Sequence, residues 1–212
     1  METPPNTEAS PRDGPEHEAG SSDRQQRLGR LAIYAASLSD YNNGILHGAW
    51  IEADEDVEQM RGEITDMLAD SPATKRFGEP AEEWAVHDQE GFEPYPIEEY
   101  TSLDTIATLA GGITEHGQAF AAWAAWLGEA TDETLRSFED AYLGEWDTLE
   151  HYAEDLLGDL GLDDILDQHI PEGLRPYVKI DAAGFARDLE LGGDVITSDT
   201  PEGRVWVFVA GV

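Results

Sequence analysis

Cysteine is absent from this 212-residue chain, which excludes a disulfide, a thiolate metal site and a thiol nucleophile together. Lysine occurs only twice, against ten arginines and 46 Asp and Glu, for a formal net charge of -34. Cationic side chains are what meet phosphates, so their scarcity argues against direct nucleic-acid binding and against adhesion to an anionic membrane. No run of 18 apolar residues is present, and the N-terminus has neither a basic start nor an apolar stretch, so a cytoplasmic protein is expected.

Catalytic motifs are equally scarce. The chain contains no G-x-S-x-G, P-loop, G-x-G-x-x-G or H-E-x-x-H, and the glycine pairs at 111 and 192 lack the spacing that cradles phosphate. His87-Asp88 has no second histidine at helical spacing to complete a metal site, so a core or turn role is expected for His87. Glu52, Asp54, Asp56 and Glu63 imitate the odd positions of a calcium loop, but Val57 stands where that loop requires glycine, and the stretch reads better as a helix start. Carboxylate pairs are so common here that no single pair marks a general acid and base. Neither an enzyme nor a bound cofactor or metal is expected.

What the chain does have is 40% apolar residues, six tryptophans and acid everywhere. That is enough apolar material for a core. High net charge keeps a protein soluble and says nothing about its fold. Two explanations compete for the charge: halophilic tolerance of a salty cytoplasm, or imitation of a nucleic acid before a basic partner. Composition does not separate them.

Along the chain, residues 1–27 are rich in Pro, Glu, Ser and Gly and nearly devoid of apolar side chains, the composition of a disordered tail. Residues 28–96 read as a β-β-α-β domain. Its two strands, "LAIYAASLS" and "ILHGAWIEA", are joined through "DYNNG" as a tight hairpin, with Asn-Asn-Gly supplying left-handed φ angles. Val57, Met60, Ile64, Met67 and Leu68 then repeat at helical spacing until Ser71-Pro72 ends the helix, and "EEWAVHD" alternates as a strand.

Residues 97–129 read as a helical domain, with one helix capped by Ser102 and stopped by Gly111-Gly112 and a second carrying Phe120, Trp123, Trp126 and Leu127. Trp126 falls off the stripe of the other three, so this helix is expected to pack on two neighbours. Residues 130–212 read as an acidic helical domain. Thr131 caps a helix with Leu135, Phe138 and Tyr142 inward, and Asp147 caps another with Leu149, Tyr152, Ala153, Leu156 and Leu157 inward. Short helices near 163–168 and 181–189 follow, and "DVITSD" and "RVWVFVAGV" form a closing hairpin. The fold class is α+β.

Between Thr131 and Asp164 lie twelve carboxylates and one cation, Arg136. The candidate partner-binding residues are Asp132, Glu133, Glu139, Asp140, Glu145, Asp147, Glu150, Glu154, Asp155 and Asp159. Side chains four residues apart on a helix are displaced by about 6 Å along its axis, a spacing of the order of that between charges along a DNA backbone.

"YNNGILHGAWIEA" (41–53), "EEWAVHDQEGF" (82–92), "FEDAYLGEWDTLEHYAEDL" (138–156) and "FARDLELGGD" (185–194) resemble, in this order, blocks of the ArdA-type antirestriction proteins, and the likeness spans essentially residues 30–209. Gln89 departs from it, standing where an aromatic is expected. For Tyr41, Asn42, Asn43, Gly44, Gly48 and Trp50 a turn and its packing is the expected role. The resemblance implies an elongated homodimer of small domains, with the interface in the C-terminal third. It also implies that the carboxylates imitate duplex phosphates and occupy the DNA groove of type I restriction-modification enzymes without catalysis. The alternative is a halophilic acidic module for another basic DNA-binding partner.

Overall fold

The computed structural model describes residues 29–211, so the N-terminal 27-residue segment lies outside the described residues. The architecture is α+β, with two three-stranded antiparallel sheets. The first has the order β2-β1-β3, from Ala32–Ser37 (β1), Gly48–Glu52 (β2) and Trp84–Glu90 (β3). Its central strand is buried almost throughout, and Ile33 faces Ile51 while Tyr34 faces Trp50 across the β1/β2 ladder. Gly48 sits where a Cβ would lie 2.5 Å from the Ala35 carbonyl and 2.8 Å from the Tyr34 ring, so only glycine lets Tyr34 cross that strand. Tyr34 then meets Trp50 edge-on at 5.5 Å.

The two strands of the expected hairpin do pair, but their connection is not a tight turn. A short helix, Leu38–Asn42 (α1), follows β1, and in "YNNG" only Gly44 has a positive φ; Asn43 is at -91°. The reason is Asp40, which is fully buried. Its Oδ2 accepts hydrogen bonds from the Ser37 hydroxyl at 2.6 Å and the Ser71 hydroxyl at 2.7 Å, and its Oδ1 accepts from the Ala73 amide at 2.7 Å. Burial pushes the Asp40 pKa up, but the hydrogen bonds from Ser37, Ser71 and Ala73, with the nearby His47, outweigh it and hold the carboxyl below its ordinary value. Ser37 and Ser71 are the N-caps of two different helices, so one carboxylate fastens both.

Ser71 therefore begins a helix, where the sequence suggested only an end. Helix α2, Val57–Ala69, closes at Asp70, and Pro72–Phe77 (α3) starts directly from Ser71 with proline in its first turn. His47 ties the end of α2 to the start of β2 by donating Nε2–H to the Met67 carbonyl at 2.8 Å. His87 is neither core nor turn: it lies exposed on β3, edge-on to Tyr41 at 5.1 Å.

Helix α4, Leu103–His116, is capped by Ser102 as expected, but it runs straight through Gly111-Gly112 and ends at Gly117. The glycines mark close packing. A Cβ on Gly112 would stand 2.2 Å from the Phe120 ring, which belongs to the next helix, Gln118–Leu127 (α5). A Cβ on Gly111 would meet only the Glu55 carboxylate, at 2.8 Å. Gly112→Ala should therefore cost about 1–3 kcal/mol through overpacking. Gly111→Ala, where a flexible side chain can swing away, should be neutral or stabilising by up to about 1 kcal/mol from helix propensity. Urea unfolding of the two variants checks the contrast.

The C-terminal half continues with Asp132–Ala141 (α6), Tyr142–Trp146 (β4), Leu149–Asp159 (α7), Leu162–His169 (α8), Ala182–Gly192 (α9), Val195–Asp199 (β5) and Val205–Val209 (β6). The closing hairpin is present, and β4 joins it in the order β4-β6-β5. The acidic run is thus not helical throughout, because β4 interrupts it. The cap of α7 is Thr148, whose hydroxyl accepts from the His151 amide, rather than Asp147. In α6, Phe138 is buried while Leu135 is half-buried, and Tyr142 belongs to β4.

One buried cluster runs from Ile33 on β1 through Ile106, Phe120 and Trp123 to Phe138 and Phe208. Phe208, on β6, stacks on Trp123 at 5.5 Å and meets Phe138 and Tyr142. Trp123 also donates Nε1–H to the Ser137 hydroxyl at 3.1 Å. Helix α5 packs on two neighbours, α4 and α6, as expected, but Trp126 itself lies against the Trp123 ring and stays 53% exposed.

Candidate carboxylate surface

Helix α6 starts with a capping box, in which the Thr131 hydroxyl accepts from the Thr134 amide and the Thr134 hydroxyl accepts from the Thr131 amide. This fixes the first turn, where Asp132 and Glu133 meet the positive end of the helix dipole. Asp132 pairs with Glu139, and Glu133 with Asp140, at a spacing of seven residues. Two turns of helix therefore separate the members of each row, about 10 Å along the axis. On α7, Glu150 with Glu154 and Asp155 with Asp159 repeat at four residues, about 6 Å along the axis. That is roughly two steps of the 3.4 Å axial rise per phosphate on a DNA strand.

All ten candidate residues are exposed. They do not form one equivalent set. Arg204, just before β6, donates from Nη1 to Glu145 at 3.0 Å and from Nε to Asp147 at 3.1 Å, and His151 lies 3.8 Å from Asp147. Those two carboxylates are already compensated. Asp132, Glu133, Glu139, Asp140, Glu150, Glu154, Asp155 and Asp159 have no ion pair with an Arg or Lys among the described residues. Arg175 likewise binds Asp163 and Asp167, at 2.8 and 3.1 Å, on α8. Beside Arg204, burial pushes the Tyr142 hydroxyl up, Glu145 pushes the same way and the guanidinium partly offsets both, so Tyr142 stays neutral.

The fold also gathers carboxylates that no linear pattern links. Glu55 before α2, Asp104 and Glu115 on α4 and Asp132 on α6 line a groove of about 430 Å³ whose apolar lining includes Val57, Ala107 and Leu135. Glu115, His116 and Glu139 bring their ligand-type atoms within 4.8 Å of one another at the end of α4. His116 is held there against Phe138 at 4.8 Å. Of these residues only Asp132 and Glu139 were candidates from the sequence; Glu55, Asp104, Glu115 and His116 join them through the fold. Asp56 does what its position suggested and caps α2, accepting from the Gln59 amide at 3.0 Å.

No helix among the described residues is long and apolar enough to cross a membrane. The described residues define an acidic α+β protein whose exposed chemistry is carboxylate, concentrated and uncompensated on α6 and α7. The family model described as antirestriction protein (ArdA) matches residues 33–202, from β1 to the turn before β6. The chain belongs to the ArdA family of antirestriction proteins, which are inhibitors directed at restriction-modification enzymes and not catalysts. No curated protein matches the chain.

Proposed function

We propose that this antirestriction protein acts as a DNA mimic, binding the DNA groove of a type I restriction-modification enzyme and excluding duplex by competition. The observation that carries this reading is the set of eight exposed carboxylates on α6 and α7 that form no ion pair with an arginine or lysine among the described residues. A cleft lined with Lys and Arg gains free energy when a polyanion releases its counterions, and a rigid acidic surface offers a similar gain. No base edge is read, so enzymes of different sequence specificity are open to the same inhibitor. Helices hold the charges in place, which lowers the ordering cost of binding relative to a disordered acidic segment.

The acting unit is a homodimer on this reading. Support comes from apolar side chains left exposed in the C-terminal part, among them Leu160, Ile165, Leu174, Ile180 and Leu191, which offer apolar surface that a second copy could cover.

Titrating the protein into a type I restriction enzyme acting on unmethylated plasmid, with free duplex as competitor, tests the proposal. Stoichiometric loss of cleavage relieved by excess duplex is the expected result, and cleavage unchanged at every ratio overturns it. Arg204→Gln sharpens the test. Releasing Glu145 and Asp147 from their guanidinium adds two free carboxylates beside the others, so inhibition should tighten severalfold at low salt while stability changes by less than about 1 kcal/mol.

A further inference from the structure

Trp126 is out of place for a packing residue. It occupies the last turn of α5, where Ala119 to Ala124 are all buried, and yet about half its surface meets solvent. The ring is not loose. It lies nearly parallel to Trp123, 19° between planes and 5.2 Å between centroids. Trp123 is itself immobilised by burial, by its hydrogen bond to Ser137 and by stacking on Phe208. An aromatic plate so anchored loses little further freedom when something lands on it.

Its surroundings favour a cation. The last turn of α5 carries no basic side chain, so the negative end of the helix dipole is uncompensated at Gly128. Exposed Glu129 follows, and Asp132 and Glu133 open α6 three residues later. The face of an indole is the strongest side-chain π surface for a cation, and the planar guanidinium stacks on it better than a compact, strongly hydrated ammonium.

We propose that Trp126 is a docking point for an arginine side chain of the cationic partner, received on the exposed surface of the indole just ahead, along the chain, of the exposed acids Glu129, Asp132 and Glu133. This deepens the mimicry reading and rests on it for the identity of the partner. It adds a contact that duplex DNA's phosphates do not offer, and it makes the surface prefer arginine over lysine at equal charge.

The test uses the full chain with two probes. Oligoarginine and oligolysine peptides of equal length are titrated by calorimetry into the wild type, Trp126→Ala and Trp126→Phe, with near-ultraviolet circular dichroism confirming that each variant is folded. The wild type should bind oligoarginine roughly tenfold more tightly than oligolysine. Trp126→Ala should lose most of that preference and Trp126→Phe should keep part of it, with the salt dependence unchanged because no ion pair is removed. Equal affinity of the wild type for both peptides, or a preference that survives in Trp126→Ala, overturns the inference whatever the enzyme assay shows. Inhibition of the restriction enzyme is then compared in wild type and Trp126→Ala. Failure of the wild type to inhibit overturns the mimicry reading separately. A roughly tenfold weaker Trp126→Ala supports the docking point on the enzyme itself, and an equal one overturns it there.

Discussion

Neutralising Asp132, Glu133, Glu139, Asp140, Glu150, Glu154, Asp155 and Asp159 together, as Asn and Gln, should weaken inhibition of a type I restriction enzyme by at least about a thousandfold. The scale comes from DNA itself, where a protein that makes about six to ten phosphate contacts loses roughly 10³ to 10⁵ in affinity when salt rises from about 50 to about 200 mM, so contacts of this number carry at least that much counterion-release free energy. A mimic that works by the same counterion release should respond to the same degree. The substitutions are isosteric and every position is exposed, so the fold should survive. Relief of self-repulsion should even raise the unfolding midpoint at low salt. Inhibition titrations at two ionic strengths, with thermal melts of the same samples, check both halves. If the octuple variant inhibits as well as the parent, the carboxylates of α6 and α7 serve salt tolerance and the mimicry reading falls for this surface.

The second large effect is at Asp40. Asp40→Ala should destabilise the protein by roughly 2–4 kcal/mol, because the donors on Ser37, Ser71 and Ala73 lose their shared acceptor in a site closed to water. For a chain of this size that corresponds to a fall of about 4–16 °C in Tm. The pH dependence follows from the direction of the shift. The folded-state pKa of Asp40 lies below its unfolded value, so the carboxylate's contribution is fully present above about pH 4 and is lost as pH falls through the folded value. Wild-type stability should therefore drop on acidification more steeply than that of Asp40→Asn, which carries no proton to take up. Urea midpoints measured between pH 6 and pH 3 distinguish the two. Parallel curves would mean that other carboxylates dominate acid unfolding.

The surroundings of Asp40 and of the α6 and α7 carboxylates show what was readable in the sequence and what was not. The helical repeat from Val57 to Leu68, the Ser102 and Thr131 caps, and the closing hairpin were legible because each is written in neighbouring residues. Exposure of the eight carboxylates on α6 and α7 followed from the same periodicity. The misreadings share one cause. "YNNG" has the composition of a tight turn, but Asp40 answers to Ser71 and Ala73, more than thirty residues away. Gly111-Gly112 looks like a stop until Phe120 folds back on it. Tyr142–Trp146 is a strand only because β6, some sixty residues later, pairs with it. The same distance hid the compensation of Glu145 and Asp147, which depends on where that hairpin carries Arg204.

The position of Phe208 has a consequence for synthesis. The ring that meets Trp123, Phe138 and Tyr142 follows all three of them far along the chain, so it leaves the ribosome well after they do. Until it does, the parts of Trp123, Phe138 and Tyr142 that meet Phe208 have no cover from it, and β4 has no strand to pair with. Contacts this far apart in sequence form slowly and leave unfinished chains prone to association. A nascent chain halted before β6 should therefore be caught by chaperones, with mutual repulsion of its carboxylates as a further brake on aggregation.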